Sequence, residues 1–321
     1  MPKGFQRYYD LEHLRRFRQF SKLTTREGAA KLLAKEFPQY YKGTEADAVF
    51  LYKKLLLNDE LLKEPVLPTA EITKVLPELT VPYRDTLALC DIHAPHFIER
   101  AIHLATNLAW ANDIGTVALV GDFIDFDSFS SYLKVGASPP EEGFEALAAI
   151  IDYLHENFDE ILVCMGNHDE RLLRKMADLS IGINGILALA QPYAKVPWDR
   201  LQYTSRFQIK LEGGPSGDWW LSHMDNYRKV PLSVATEGVI KFQANYLTAH
   251  QHHLGAVRSN YGGMWAVDGG ALVDPQKTEY LQRRHKMCSD WAPGFTVILD
   301  GHPYCFRADE PDAVWQRWGA L

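Results

Sequence analysis

The sequence predicts an α/β fold: a two-sheet β-sandwich flanked by helices, preceded by a small N-terminal helical module. Three observations carry that prediction. Beyond residue 84, short apolar runs alternate with helical stretches. The later half is richer in strand-like segments, as a second sheet packed on the first requires. Residues 1–65 differ from the remainder in pattern and charge.

The first 65 residues read as helical. Thr24 and Glu27 have capping-box spacing ahead of an Ala- and Leu-rich run that ends near Phe37, and Pro38 stops it. Between Glu45 and Leu57, Ala46, Val49, Phe50 and Leu57 share one helical face. This module carries 13 Lys and Arg against 9 Asp and Glu, whereas residues 66–321 carry 21 against 32. Such a small excess, with Arg15, Arg16 and Arg18 its only cluster, falls well short of a dedicated DNA-binding footprint. A helix-turn-helix-like nucleic-acid contact and a packing or assembly arm both fit. Residues 66–83 read as an extended linker, because Pro68, Pro77 and Pro82, with Pro65 just ahead, break any long helix. The remaining domain is then 84–321.

Within that domain, strands are expected at Thr86–Cys90, Thr116–Val120, Ile161–Met165, Phe207–Leu211, Trp219–Leu221, Tyr246–Thr248 and Phe295–Leu299. Glu99–Ala111 and Glu141–Phe158 are the clearest helices. The four cysteines, Cys90, Cys164, Cys288 and Cys305, form no C-x-x-C pair, so zinc-ribbon and redox motifs are excluded. The polar, basic start lacks an apolar run and no stretch reaches the length of a membrane span. The expectation is a cytoplasmic protein with no membrane partner.

The chemistry lies just beyond five of the apolar runs. They are followed in turn by Asp91-Ile92-His93, by Gly121-Asp122 with Asp125, by Gly166-Asn167-His168-Asp169, by Ser222-His223, and by Ala249-His250-Gln251-His252. Carboxyl ends of strands are where open α/β sheets gather their sites. Any one of these pieces is common; five in the same placement are not.

The series D-x-H, G-D-x-x-D, G-N-H-D, an isolated His and [G/A]-H-x-H resembles the calcineurin-like metallophosphoesterases, in order, from Cys90 to His252. Ala249 stands where Gly is usual and leaves both histidines in place. The resemblance implies the metallophosphoesterase fold and two divalent metal ions, with manganese first and Fe, Zn, Ni or Co also suited. It implies that Asp122 bridges them, that Asp91, His93 and His252 complete one site, and that Asn167, His223 and His250 complete the other. A bridging hydroxide would then attack the phosphorus. His168 would be the general acid and Asp125 the carboxylate that orients it. Asp169 is either a supporting residue behind the ligands or a helix N-cap.

Substrate signals are sparser. The protein Ser/Thr phosphatases and dinucleoside-polyphosphate hydrolases of this family carry Arg-Gly after the second Asp of G-D-x-x-D. Here Phe126-Asp127 follows Asp125, which favours the phosphodiesterase and nuclease branch. The expected reaction is hydrolysis of a phosphodiester in DNA, RNA or a nucleotide. A phosphomonoesterase for a small metabolite is the alternative, and a binding scaffold with ancillary activity comes behind it. Arg171 and His96 are the candidate substrate-binding groups; each also fits a surface or loop position. Phe123, Phe126, Phe129 and Tyr132 can stack on bases or pack on the core. Tyr227 and His253 lie near ligand positions without an assigned role. The run Arg283-Arg284-His285-Lys286 is a nucleic-acid contact or a solvated loop.

Overall fold

The computed structural model describes residues 16, 20, 25–36, 78–130, 136–175, 183–278 and 291–321. The chain divides into two units, residues 1–73 and 74–321. Helix α1 (Arg26–Glu36) is what is described of the first. The Thr25 hydroxyl accepts the Gly28 N–H at 3.2 Å, so the side-chain cap sits one residue later than the capping-box spacing suggests. Ala29 and Leu33, four apart on one face, are its buried side chains, and Arg16 pairs with Glu36 at 3.0 Å. The expected helix over 45–57, Thr24, Tyr132, Cys288 and the basic run 283–286 lie outside the described residues.

Among the described residues, the second unit has twelve strands in two six-stranded sheets. The first strands and helices are β1 (Leu79–Pro82), β2 (Thr86–Cys90), α2 (Glu99–Ala111), β3 (Thr116–Val120), α3 (Pro140–Asn157) and β4 (Glu160–Cys164). Then come α4 (Glu170–Lys175), α5 (Ile183–Ala190), β5 (Leu201–Thr204), β6 (Gln208–Glu212), β7 (Trp219–Ser222) and α6 (Ser233–Phe242). The chain ends with β8 (Asn245–Thr248), β9 (Leu254–Arg258), β10 (Trp265–Gly269), β11 (Gly294–Leu299), β12 (His302–Arg307) and α7 (Asp312–Arg317). One sheet has the order β12-β11-β2-β3-β4-β5, and the other β1-β6-β7-β8-β10-β9. The runs read as strands and helices are found within a residue of their expected ends. The segment read as linker, however, contains β1. It pairs in parallel with β6 from Leu79 to Pro82. Pro82 is tolerated because β1 lies at the edge of its sheet.

The layering follows from the period-two pattern of β2, β3 and β4, which are buried on both faces. Leu87, Leu89, Val117, Leu119, Ile161 and Val163 face the core shared with α2, α3 and α5. Ala88, Cys90, Ala118, Val120, Leu162 and Cys164 face the opposite way, onto Ile209, Leu211, Trp219, Leu221, Leu247 and Val267 of the second sheet. On that sheet's outer face, Ala235 and Val239 of α6 cover Tyr246 and Ala266. The result is helix, sheet, sheet, helix. Cys90 and Cys164 are buried free thiols within the sandwich.

At the chain's end, Trp315 of α7 is fully buried, stacks against Phe295 with ring centroids 6.0 Å apart, and donates to the Glu310 carbonyl at 2.9 Å. Trp315→Ala removes that filling and is expected to cost about 3–5 kcal/mol. Urea unfolding will show this as a lower midpoint with unchanged slope.

Candidate metal centre

Parallel register brings the site residues together. Cys90, Val120 and Cys164 are direct partners across β2, β3 and β4, so the three strands end level. Ser222 and Thr248 likewise end β7 and β8 level. The residues that follow must therefore crowd into one place. Loop-to-loop bonds hold them there: His93 N–H donates to the Asp122 carbonyl at 2.8 Å and Ala249 N–H to the Ser222 carbonyl at 2.9 Å.

Among the described residues, ten non-glycine residues have positive φ, and Asp91, His93, Asp122, His250 and His252 are five of them. This left-handed region is costly for a side-chain-bearing residue and persists where the surroundings enforce it. Here it turns the chain sharply at the strand end and aims successive side chains at one point. Two glycines permit the crowding. A Cβ on Gly121 would lie 2.4 Å from the His223 ring, and one on Gly166 would lie 2.3 Å from both Asp122 N and Asp122 Oδ1. Gly166→Ala must displace the Asp122 backbone. It is expected to destabilise the fold by about 1–3 kcal/mol and to weaken metal uptake, read together in a melting series with and without Mn²⁺.

Six of the seven predicted ligands fall into close groups. Asp91, His93 and His252 form one group whose donor atoms lie within 4.8 Å of one another; Asp122, His223 and His250 form another. Asp122 also groups with His93 and His168, so its carboxylate reaches both halves. Asp122 Oδ2 is 3.2 Å from His223 Nε2 and 3.7 Å from His93 Nε2. Asp91 Oδ1 is 3.2 Å from His252 Nε2 and 3.9 Å from His93 Nε2. Ligands about 2.0–2.2 Å from one ion stand roughly 3–4 Å apart, and these separations match. Asn167 Oδ1 and His93 Nε2 are buried with no hydrogen-bond partner in the protein. An acceptor buried without a donor is costly unless a cation satisfies it. The donor set of imidazoles, carboxylates and one amide oxygen fits first-row divalent ions.

The electrostatics fit as well. Burial alone would raise the Asp91 and Asp122 carboxyls. The histidines around them prevail, and both stay well below the ordinary carboxylate range. Burial pulls His250 down to about 4, leaving the neutral imidazole that a metal needs. Burial also opposes charge on His93, but the hydrogen bond to Asp125 and the nearby Asp91 and Asp122 carboxylates overcome it and lift that imidazole to about 10. Protons and cations compete for this centre.

Asp125 is the hub beside it. Its Oδ1 lies 2.5 Å from His168 Nδ1, 3.2 Å from His93 Nδ1 and 3.1 Å from Arg171 Nη1. One carboxylate thus orients a predicted ligand and the predicted acid together. Asp169 is fully buried and accepts from Gly166 N–H at 2.7 Å and Ile124 N–H at 3.1 Å. It ties the third motif to the second, so of its two expected roles the supporting one holds.

Arg171 and His96 both face this hub. Arg171 donates to the Asp125 carbonyl at 2.9 Å, and its Nη2 lies 2.8 Å from His168 Nε2. His96 Nε2 is 3.8 Å from both Asp125 and Asp127 carboxylates. Of the aromatics after Asp122, Phe123 and Phe126 are buried in the core and Phe129 packs against it, so they are packing residues. His253 is buried 3.5 Å from Asp268. Two neighbours escaped the sequence reading. The Trp291 ring lies 3.9 Å from the His252 ring, and Gln251, between two ligand histidines, bonds the loop after β7. No local sequence pattern links Trp291 to His252.

No described helix is long and apolar enough to cross a membrane. No family model and no curated protein matches the sequence. Among solved structures, a single mutant of Vps29 from Entamoeba histolytica is similar at 15% identity and a TM-score of 0.34. The match covers 71% of this chain and all of that one. A likeness that low carries no weight beside the topology and the site. Two mixed six-stranded sheets packed as a sandwich with helices, and a His/Asp centre at the strand ends, are the α/β architecture and the site placement that the sequence predicts.

Proposed function

We propose that this chain is a metal-dependent phosphodiesterase acting on nucleic acid or nucleotides. The observation that carries the reading is the pair of buried His/Asp groups sharing Asp122, with His168 held against Asp125 at their edge. Asp91, His93, His252 and the shared Asp122 would hold one divalent cation; Asn167, His223, His250 and Asp122 would hold the other. Such a pair, manganese first among the candidates, would lower the pKa of water toward ~7 and offset the charge that builds up on the phosphoryl group.

The protein's own part is positioning and proton transfer. Water oxygen attacks phosphorus as the ester P–O bond breaks, and the proton that this water sheds passes to solvent. The departing oxygen takes a proton from His168 Nε2. Burial lowers His168, and Asp125 on Nδ1 fixes the ring and works against that burial by favouring the charged form. Arg171 Nη2 donates toward Nε2 at 2.8 Å, which leaves that nitrogen without a proton, so Arg171 must shift, onto a phosphoryl oxygen when substrate arrives, before Nε2 takes up from solvent the proton it then gives. His96, beside Asp125 and Asp127, lines the same side.

The test is hydrolysis in Mn²⁺ of a bis-aryl phosphodiester beside an aryl phosphomonoester. Preference for the diester is expected. Turnover of the monoester alone would overturn the reading in favour of a small-metabolite phosphatase.

A further inference from the structure

We infer that the loop between β7 and α6 is a flanking subsite for a single strand of nucleic acid, held in place by Gln251; this rests on the phosphodiesterase reading above. The loop leaves the centre directly, since His223 is followed by Met224. Residues 225–231 are all exposed, with Tyr227 54% and Val230 69% accessible.

An exposed loop would ordinarily be anchored only at its ends. This one is anchored in the middle from within. Gln251 is 2% exposed and sits between His250 and His252. Its Oε1 accepts the Arg228 N–H at 2.8 Å and its Nε2 donates to the Asn226 carbonyl. Burying an amide is unfavourable unless both its ends are satisfied, and here both are spent on loop backbone on either side of Tyr227. At the far end, Asp268 of β10, also buried, accepts the Leu232 N–H at 2.6 Å. The backbone of residues 226–228 is therefore fixed against the turn that carries two ligand histidines.

The fixed segment presents Tyr227, Arg228 and Lys229. Apart from Asp225 at its start, the loop is basic within a domain that is strongly acidic. Arg228 meets Glu237 at 3.3 Å, with both side chains more than half exposed. Such a pair is weak and yields readily to a phosphate. Lys229 makes no ion pair among the described residues. Two cations and an aromatic ring beside a phosphoester centre match the next phosphate and an unstacked base of a strand.

The test compares a single-stranded oligonucleotide with a bis-aryl diester, in Mn²⁺, for wild type and the Arg228→Ala/Lys229→Ala double variant. KM for the oligonucleotide is expected to rise about tenfold, with a small change in kcat. The salt slope of log(1/KM) should flatten by about 1.4, the value for two lost single-strand phosphate contacts. Tyr227→Ala and Gln251→Ala should raise the same KM at least several-fold. Equal losses on both substrates, or an unaltered salt slope, would overturn the inference. Wild-type cleavage of the diester without the oligonucleotide would remove the subsite and leave the phosphodiesterase standing. Cleavage of neither would remove both.

Discussion

Asp122→Asn is expected to reduce metal content from two ions per chain to one or fewer and to lower diester kcat/KM by on the order of a thousandfold. The substitution keeps size and shape. An Asn oxygen can still accept the His168 N–H that Asp122 Oδ1 accepts at 2.7 Å. What disappears is the negative charge at Oδ2, the atom lying between His223 and His93. Because Asp122 groups with His223 and His250 and also with His93 of the other group, its loss should affect both ions, whereas losing His250 or His252 should affect one. Metal content by plasma emission, measured beside the rate on the same sample, checks this. Full activity with two ions retained would refute the shared role.

The second large effect is expected from His168→Ala. Both ions should remain, because the predicted ligands stay in place, while kcat falls by about 10²–10⁴-fold. The loss should depend on the leaving group. A nitrophenolate departs without a proton and should be little affected; an alkoxide, as in a nucleic-acid strand, should show the full loss. A uniform loss across leaving groups would instead mark His168 as a structural support for Asp125. Paired kcat measurements on aryl and alkyl diesters separate the two.

Much of the fold was legible because its central strands are buried on both faces. Thr86–Cys90 and Thr116–Val120 read as unbroken apolar runs, and each stops where it meets its Asp. The candidate ligands were legible for the same reason: a polar residue just after a buried strand has nowhere to go but the strand-end cluster. β1 was missed because an edge strand is mostly exposed and contains Pro82, which reads as linker without its partner β6. The extent of the Asp125 hub was also hidden. The spacing from Asp122 pointed to His168, but the contacts to His93 and Arg171 are 32 and 46 residues away and depend on loop geometry. Arg171 looked available for phosphate; it is already engaged with Asp125 and His168. Gln251 looked like a spacer between two histidines, and its role exists only once the loop after β7 folds back over it.

The central claim is that two cations at the strand ends make this chain a phosphodiesterase. The most direct test titrates metal-free protein with Mn²⁺ while following hydrolysis of a bis-aryl phosphodiester. Expected are no hydrolysis without metal, a rate that rises until two equivalents are bound and is then flat, and complete loss on chelation. Failure to take up metal, or hydrolysis indifferent to the chelator, would contradict it.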